Sequence, residues 1–331
     1  MAEAALSTVA KSAAFGQVRE KVLRRFEIGD QTFHVLTKLS AIAVLLLLGG
    51  VILSLVQGSI PALSTFGFSF LTSQAWNPVT ENFGAAPAIY GTLVTSLIAL
   101  MIAVPIGFGI AVFLTELCPY KLRRPIGIAV ELLAGIPSII YGIWGMFIFA
   151  PFLQATVQPA LIATFAHVPG LNQVFAGPPY GIGILTASLI LAIMILPLIS
   201  SISRDVFNTV PPVLKEAAYG VGCTRWEVMR SIVAPYTGVG LVGGVMLALG
   251  RALGETMAVT FVIGNAHKIY PSILGPGTTI SATIANEFTE ADGKLYTSSL
   301  VALGLLLFII TFIVLAVSRL LLMRIEGKGA R

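Results

Sequence analysis

Charge is scarce in this chain. Only 11% of its 331 residues are Asp, Glu, Lys or Arg, whereas 56% are hydrophobic. An ordinary soluble domain carries about 25% charged residues, and a helix that crosses the hydrocarbon core of a bilayer needs about 20 mostly apolar residues. The composition therefore excludes an ordinary soluble domain and predicts an all-α integral membrane protein.

Cysteines are few, and a nucleotide-binding loop is missing from the sequence. The two cysteines, Cys118 and Cys223, suggest neither a disulfide framework nor a metal cluster. No Gly-x4-Gly-Lys-Ser/Thr loop occurs, because the Gly-Lys pairs at 293–294 and 327–328 lack both the preceding glycine and the following hydroxyl. The chain is therefore predicted to bind no cofactor, and any ATP and Mg belong to a separate ATPase.

Long hydrophobic runs are what the chain has in place of charge. Six of them are long enough to cross a membrane. Their approximate bounds are 39–56, 90–114, 126–153, 182–202, 236–263 and 298–322. The predicted organisation is a polar extension over 1–37, a six-span domain over 38–323 with a polar loop at 203–235, and a short tail over 324–331.

Positive charges are distributed unevenly between the loops, and short cytoplasmic loops carry the excess of Lys and Arg. The extension, the segment between spans two and three, the loop at 203–235 and the tail hold nearly all of them, whereas the other loops hold only Lys268 and Lys294. Both termini are therefore predicted to be cytoplasmic. The extension is either a flexible tail or an interfacial helix near 18–26 whose basic face meets anionic lipid.

The loop at 203–235 contains the most informative stretch of the sequence. Glu216, Ala217 and Ala218 favour a helix that another surface can approach closely, and Gly222 permits a turn before a second short helix at 225–232. Such a helix-turn-helix, lying along a membrane face, can transmit the movement of a bound partner to the spans. Alternatively, the segment is a solvated loop that only joins two spans.

Ionisable residues inside the predicted spans are few, and each is a candidate functional position. Arg251 and Glu255 lie four residues apart in the fifth span, a spacing that places both on one helical face, and Thr256 follows. The guanidinium suits phosphate or carboxylate, and Glu255 is expected to hold it in the unloaded state. We predict a substrate pathway at Arg251, Glu255 and Thr256, with a structural ion pair as the alternative.

The third span contains a second candidate region. Glu131 lies near its inner end, where we expect a structural bond to a backbone amide or to Arg123 or Arg124, with a place on the exit path as the alternative. Further along, the Gly-Ile-Pro-Ser segment at 135–138 interrupts the helical hydrogen bonds. Such breaks occur where backbone faces protein or water, so Pro137 and Ser138 are possible pathway or structural residues.

The loops at 58–88, 154–181 and 264–297 are predicted to lie on the outer side. The first contains Trp76-Asn77-Pro78, a polar and aromatic mixture suited to a soluble partner. The third is predicted to form a short helix, capped by Thr or Ser, over 278–288. These loops either dock a substrate-delivery protein or simply cap the helices.

Five separated motifs occur in the order that one family shows. They are Trp76-Asn77-Pro78, Gly91-Thr92-Leu93-Val94-Thr95-Ser96, Leu114-Thr115-Glu116-Leu117, the segment 131–138, and the segment 250–256. The stretch 216–235 is similar to the EAA loop of ABC-transporter permeases, except at Ala234, where leucine is usual. Together these stretches make residues 60–320 resemble the PstC family of phosphate transport permeases.

The resemblance implies a type I ABC importer permease of MetI-like architecture in a bacterial inner membrane, with inorganic phosphate as cargo. It also implies a second permease subunit (PstA-like), a periplasmic phosphate-binding protein (PstS-like) and an ATPase dimer (PstB-like) that binds ATP and Mg. The ATPase is expected to dock on Glu216, Ala217, Ala218 and Gly222.

Other functions fit some of the same residues. An ABC permease for another oxyanion or an amino acid has the same coupling loop, so only a transport assay separates it from a phosphate permease. A proton-coupled secondary transporter, with Arg251, Glu255 and Glu131 as a relay, is a different class, but it has no reason to possess the EAA loop. A membrane enzyme is the weakest alternative, because no nucleophile, metal cluster or paired acid and base is evident.

Overall fold

The computed structural model describes the backbone of residues 2–329 and the side chains of residues 30–320 and 322–323. The chain divides into two compact units, Met1–Gln57 and Gly58–Arg331. The basic face expected at 18–26 and the tail at 324–331 fall outside the residues whose side chains are described, so those expectations stay predictions.

The first unit is helical and belongs to α1 (Ala2–Phe66). Its stretch Asp30–Phe66 is long and apolar enough to cross a membrane. No charged residue occurs between positions 39 and 66, and apolar side chains cover every face, which is the pattern of a helix buried in lipid or among other helices. The expected first span is therefore extended at both ends.

The second unit is almost entirely helical, because a backbone in hydrocarbon must satisfy its own hydrogen bonds. Before the third span its elements are α2 (Ser69–Thr72), the antiparallel strands β1 (Trp76–Asn77) and β2 (Asn82–Phe83), α3 (Ala86–Val112) and α4 (Tyr120–Ala134). The middle consists of α5 (Ser138–Trp144), α6 (Ala150–Phe152), α7 (Gln158–Phe165), α8 (Leu171–Val174) and α9 (Ile184–Asn208). The remainder consists of α10 (Pro212–Gly220), α11 (Arg225–Val228), α12 (Ala234–Leu253), α13 (Met257–Val262), α14 (Ile280–Glu287) and α15 (Lys294–Gly329).

Four π-helical segments join several of these helices without a break. They are Phe113–Leu117 after α3, Gly145–Phe149 after α5, Leu153–Val157 after α6 and Met229–Val233 between α11 and α12. The π-helix is rare and is found mostly as single turns at functional sites. One of these segments, Met229–Val233, lies within the loop at 203–235, and another, Phe113–Leu117, contacts that loop through Glu116.

Six helices of the described part are long and apolar enough to span a membrane, which confirms the predicted fold class. After the first, they cover Ala86–Leu117, Ser138–Phe165, Ile184–Asn208, Arg225–Leu253 and Lys294–Leu320. Two starting points differ from expectation. The third span begins only after the break at 135–137, which separates it from α4. The fifth span begins at Arg225, so the separate helix expected at 225–232 is instead the first part of that span.

The fourth span is the centre of the second unit. It buries 72% of its most apolar stretch, against 28% or less for each of the other spans. Its largest fully buried side chains include Ile190, Leu191, Ile195 and Ile199, and α3 packs along its length. The other spans expose most of their apolar surface in the single chain, as expected of helices that face lipid or another subunit.

The loop at 264–297 folds as the sequence predicts. The short helix expected at 278–288 is confirmed as α14, and the hydroxyl of Thr279 caps it by accepting a hydrogen bond from the amide of Ala282 at 3.2 Å. The backbone amide of Ile280 donates to the hydroxyl of Thr92 at 2.9 Å, which ties α14 to the start of α3.

At the end of the spans opposite the 203–235 loop, a single carboxylate contacts residues from several elements. Glu287 accepts hydrogen bonds from the indole nitrogen of Trp76 and from the hydroxyl of Tyr296, the latter at 2.6 Å. His267 Nε2 lies 2.8 Å from its other oxygen, and the imidazole stacks on the Trp76 ring with 5.0 Å between centroids. The β1–β2 hairpin, α14 and the start of α15 are thereby fastened together.

This arrangement changes the acidity of Glu287. Burial opposes its ionisation, but the hydrogen bonds from His267, Tyr296 and Trp76 outweigh burial and lower the pKa of the carboxyl group. A carboxylate with a lowered pKa stabilises the fold above its ordinary pKa, and this stabilisation is lost as the pH falls through the lower value of the folded state.

We expect Glu287→Gln to lower the stability of the purified complex at neutral pH by about 1–3 kcal/mol, because the amide keeps one acceptor oxygen and replaces the other with a donor, so the three surrounding donors no longer all have an acceptor. The difference from the wild type should narrow as the pH falls below 4.5, the ordinary carboxyl pKa, because the unfolded wild type then takes up a proton and the stabilisation is lost down to the lower pKa of the folded state. Thermal unfolding across a pH series measures this, with Glu290→Gln, an exposed neighbour, as the control. A loss of stability that is the same at every pH would contradict the assignment.

Candidate coupling surface and substrate pathway

The loop at 203–235 forms the predicted helix-turn-helix. Its first helix is α10, and the turn passes through Gly222 with φ +91°, a left-handed conformation that L side chains rarely adopt. Thr224 caps α11 in a reciprocal capping box. Its hydroxyl accepts from the amide of Glu227 at 3.3 Å, while the Glu227 carboxylate accepts from the amide of Thr224 at 2.7 Å. The turn and the second helix start are thus determined by local sequence.

A small apolar core holds α10 and α11 against the spans. Ala218 is only 6% exposed, and it belongs to a buried cluster with members from α3, the end of α9, α11 and the π segment before α12. The other members of this cluster are Ala111, Phe207, Val210, Val228, Met229 and Val233. The prediction that Ala218 lies on a docking surface is therefore wrong: its methyl group packs inward, because the apolar face of α10 must be buried.

Glu116 is the polar joint between the helix-turn-helix and the second span. Lys215 Nζ in α10 lies 2.6 Å from Glu116 Oε1, with side-chain exposures of only 19% and 12%. Arg225, at the start of α11, donates to the backbone carbonyl of Glu116 at 3.4 Å. Both helices therefore converge on one residue at the end of the π segment of span two, which places a mechanical connection there.

Glu116 and Lys215 were not among the predicted site residues. Glu116 stands in the motif Leu114-Thr115-Glu116-Leu117, which entered the argument only through the family resemblance, and its partner lies 99 residues away. The sequence shows that a charged residue stands at the end of each of two apolar segments. It does not show that these two residues pair with each other. The pKa of the Tyr219 hydroxyl, which lies in α10 four residues after Lys215, is raised mainly by burial and also by the nearby Glu116 carboxylate.

The helix-turn-helix has exposed residues of both apolar and charged kinds. Glu216, Ala217 and Gly222, the residues expected to dock an ATPase, are exposed there. They are accompanied by Val221, 81% exposed, and Trp226, 68% exposed, neither of which sequence reasoning selected. We call the exposed face formed by these five residues the coupling surface. Exposed large apolar side chains grouped in this way are typical of surfaces that contact another protein or a membrane.

The predicted substrate residues do not share one helix. α12 ends at Leu253, and Gly254, with φ −92° and ψ 0°, terminates it, because glycine is a poor helix former. Glu255 therefore does not follow Arg251 on one helical face, and that expectation is wrong. The Glu255 carboxylate instead accepts from the amide of Ala258 at 3.2 Å, in the first turn of α13.

The hydrogen bonds of Thr256 also lie at this break in the helix. Its hydroxyl donates to the carbonyl of Gly254 at 3.3 Å, and its own carbonyl accepts from the hydroxyl of Thr260 at 2.7 Å.

Arg251 is exposed on the last turn of α12, and the ion pairs within residues 30–323 do not include it. Its guanidinium is thus available to an anion or to a second subunit.

The breaks in spans three and five lie side by side. α5 begins after Pro137, with half-buried Ser138 as its first residue, and packs against α13. A side chain at Gly142 would collide with the ring of Phe261 at 2.8 Å and the backbone of Ala258 at 3.2 Å. The structure therefore brings Pro137 and Ser138 into the neighbourhood of the 254–256 break.

Tyr141 connects the two breaks. Its hydroxyl donates to the carbonyl of Leu133 at 2.9 Å across the interruption of span three, and Arg251 acts on it electrostatically from span five. Tyr141 was not predicted from sequence, because its nearness to Arg251 depends on the packing of α5. Irregular backbone at membrane depth is tolerated where it is buried in protein or lines a water-filled route, which suits a substrate pathway.

Glu131 has a different partner from the one expected. It forms an ion pair with Arg204 near the end of α9, rather than with a backbone amide, Arg123 or Arg124. Arg204 also lies 3.3 Å from Asp205 Oδ1. The sequence prediction considered only nearby cations, whereas the packing of α4 against α9 brings together residues 73 positions apart.

Metal-ligand groups are not evident in the part of the chain that the structure describes. Groups of three or more His, Cys, Asp or Glu side chains able to hold a metal ion do not occur there. Cys118 is buried and Cys223 is half-buried, and neither is in a disulfide.

The six candidate spans, the helix-turn-helix fastened to them and the paired helix breaks are the features of a multi-pass membrane subunit with a surface outside the spans. The chain belongs to the family of binding-protein-dependent transport system inner membrane components, which matches residues 103–327. It is accordingly an inner-membrane transport subunit.

Individual relatives cover nearly the whole chain. It is 70% identical to the phosphate transport system permease protein PstC of Mesorhizobium japonicum, over 94% of this chain and 95% of that protein. It is 59% identical to the protein of the same name from Pasteurella multocida, over 90% and 93% of the two chains. A probable phosphate transport system permease of Methanocaldococcus jannaschii is 35% identical over 89% and 93%.

Two solved structures share the fold at low identity. A bacterial alginate ABC transporter, in complex with a pentasaccharide-bound periplasmic protein, matches with a TM-score of 0.59 and 16% identity, over 87% of this chain and 93% of that one. An inward-facing MetNI methionine ABC transporter matches with a TM-score of 0.55 and 18% identity, over 72% and 94%. These similarities establish the MetI-like permease architecture alone.

We expect reversal of either charge in the Glu116–Lys215 joint to reduce substrate uptake by the assembled transport system at least tenfold, since breaking a partly buried pair costs about 2–5 kcal/mol and each 1.4 kcal/mol is a factor of about ten. Glu116→Lys combined with Lys215→Glu should restore much of the uptake, because the pair re-forms with opposite polarity. Uptake per assembled complex measures both effects.

Glu290→Lys is the control for this exchange, because it reverses an exposed carboxylate at the opposite end of the spans. If the double exchange is as defective as the two single variants combined, the ion pair does not form the joint.

Proposed function

We propose that this chain is the permease subunit of an ATP-driven ABC importer that moves inorganic phosphate into the cytoplasm. The observation that carries the proposal is its 70% identity, over 94% of its length, to a phosphate transport system permease. The chemistry agrees, because the Arg251 guanidinium offers a fork of donors that matches the oxygens of a phosphate ion.

Three kinds of partner complete the importer. An ATPase dimer (PstB-like) docks on the coupling surface and binds the ATP and Mg, so this chain carries no cofactor of its own. A second permease subunit (PstA-like) covers apolar side chains that α5 and the following turn expose, such as Ile140 and Phe147, 52% and 70% exposed. A periplasmic phosphate-binding protein (PstS-like) delivers phosphate to the end of the spans that Glu287 organises.

The orientation follows from the distribution of positive charge. Both termini and the coupling surface lie in the cytoplasm, where short basic loops are retained, and the Glu287 cluster lies in the periplasm. This arrangement places the ATPase and the binding protein on opposite sides of the membrane, as import requires.

Movement reaches the pathway along the fifth span. Arg225–Leu253 is one continuous helical rod of 29 residues, so a displacement of α11 by the ATPase is transmitted directly to Arg251 at the other end. The Glu116–Lys215 pair transmits the same displacement to span two. Closure of the ATPases on ATP thereby opens the outer end to phosphate, and their reopening lets it proceed inward.

Arg251 must bind phosphate without trapping it. In the described part of the chain its charge is not cancelled by an ion pair, while the Glu255 carboxylate stands four residues on and the Tyr141 side chain lies within its electrostatic reach. When the rod moves, the distance between the guanidinium and these groups changes. Glu255 then competes with phosphate for the arginine, which gives a route to release.

We expect Arg251→Ala to reduce phosphate uptake by roughly 10- to 100-fold, since a hydrogen bond to a charged group contributes about 1.5–3 kcal/mol. The complex should still assemble. Uptake of labelled phosphate into proteoliposomes that hold the whole complex, with ATP and the binding protein, measures the effect. Arg251→Lys is the matched variant, because it keeps the charge and removes the planar fork.

Three results would contradict parts of this proposal. Failure of Arg251→Ala to assemble makes Arg251 a structural residue. Inhibition of uptake by excess sulfate points to a permease for another oxyanion. Uptake that ignores ATP and follows a proton gradient identifies a secondary transporter.

We expect Gly222→Asp to weaken attachment of the ATPase, because a side chain at φ +91° strains the turn by about 1 kcal/mol and adds charge beside the coupling surface. The ATPase retained per permease after purification measures attachment. Gly220→Asp is the matched control: it adds the same charge two residues away, in helical backbone and in open space. Equal retention in wild type and both variants would exclude Gly222 from docking.

A further inference from the structure

A basic pocket lies between α4 and the end of α9, at the same end of the spans as the coupling surface. Its volume is about 760 Å³, within the range of about 300–1,000 Å³ usual for small-molecule sites. Six charged side chains line it, four cationic and two anionic: Lys121, Arg123, Arg124, Arg204, Glu131 and Asp205. It is separate from the Arg251 pathway and from the coupling surface.

Two of the four cations are already engaged. Arg204 pairs with Glu131 and with Asp205, and Arg123 donates a hydrogen bond to the backbone carbonyl of Thr115. Lys121 and Arg124, by contrast, are exposed and have no carboxylate partner within residues 30–323. The pocket therefore presents two uncompensated positive charges on a base that is held rigid by ion pairs.

The rim of the pocket is apolar and aromatic. Tyr120, which lines it, is 89% exposed, and Leu122, close to it in the chain but outside the lining, is 51% exposed. Ile128 and Leu132, 47% and 69% exposed, lie four residues apart and so extend along one face of α4 away from the cations. Tyrosine and basic residues beside exposed aliphatic side chains are the composition of a membrane–water interface.

We propose that this pocket binds the headgroup of an anionic phospholipid. Lys121 and Arg124 hold the phosphate oxygens, and the acyl chains lie along Ile128 and Leu132. Basic pockets between spanning helices on the cytoplasmic side bind such headgroups. The assignment to the cytoplasmic leaflet rests on the proposed orientation of the chain, whereas the binding chemistry does not.

A lipid suits the pocket better than a free phosphate ion does. A small ion gains most from enclosure by several cations, but Arg204 and Arg123 are occupied by other partners. A lipid needs only the two outer cations for its phosphate and gains further from the apolar face of α4. A lipid bound here also contacts α4, which leads directly into the break at 135–137 before span three.

The test measures lipid retained by the whole complex. The complex is reconstituted in nanodiscs of phosphatidylcholine mixed with phosphatidylglycerol, and native mass spectrometry counts the phosphatidylglycerol that stays bound. Each cation lost near a membrane surface weakens anionic-lipid binding roughly fivefold, so Lys121→Gln with Arg124→Gln should weaken it roughly 30-fold. The control is Lys38→Gln with Arg319→Gln, which removes two exposed cations outside the pocket and should retain the lipid.

Three outcomes would overturn the proposal. Equal retention by the wild type and the pocket variant means that lipid binds elsewhere. Displacement of the retained lipid by inorganic phosphate means that the pocket takes the free anion. Loss of the second permease from the pocket variant means that this surface is a subunit interface. None of these readouts depends on which substrate is transported. The test of lipid binding and the test of the proposed transport function can therefore fail independently of each other.

Discussion

Backbone amides and carbonyls within a bilayer must find hydrogen-bond partners inside the protein, and this requirement shapes every other feature of the chain. It demands continuous helices and permits interruptions only where protein or water surrounds them. The interruptions at 135–137 and 254–256 meet that condition by lying together, since α5 packs so closely on α13 that Gly142 has no room for a side chain. An ionisable residue needs the same surroundings, which explains why Arg251 is located beside these breaks.

The same requirement keeps the spans continuous between distant parts of the protein. Span five continues unbroken from the coupling surface to Arg251, and span two ends at Glu116, where Lys215 and Arg225 both attach. Each span carries a π segment where it meets the helix-turn-helix, Phe113–Leu117 in one and Met229–Val233 in the other. The joint therefore combines a buried apolar cluster, which resists separation, with one ion pair, which sets the direction of α10.

Local patterns made much of the fold predictable. The number of spans, the helix at 278–288 and the turn at Gly222 all depend on residues close together in the chain, where hydrophobic runs, caps and glycine carry a direct physical meaning. Contacts between distant residues were not predictable in this way. Glu131 was expected to bind a neighbouring cation but binds Arg204, and Ala218 was expected to face outward but packs into the buried cluster.

The candidate site, like the fold, has features that the local sequence predicts and features that only contacts between distant residues decide. The sequence by itself determined that the chain has six helices able to span a membrane, that a helix-turn-helix lies at 203–235 and that Arg251 is a rare ionisable residue in a long apolar run, because hydropathy and spacing are properties of neighbouring residues. Only the tertiary structure decided that Arg251 and Glu255 stand on either side of a helix end, that Tyr141 lies within the electrostatic reach of Arg251, and that Glu116 pairs with Lys215. Those facts depend on how helices pack and where they stop, and packing is a competition among distant side chains that a local pattern does not record.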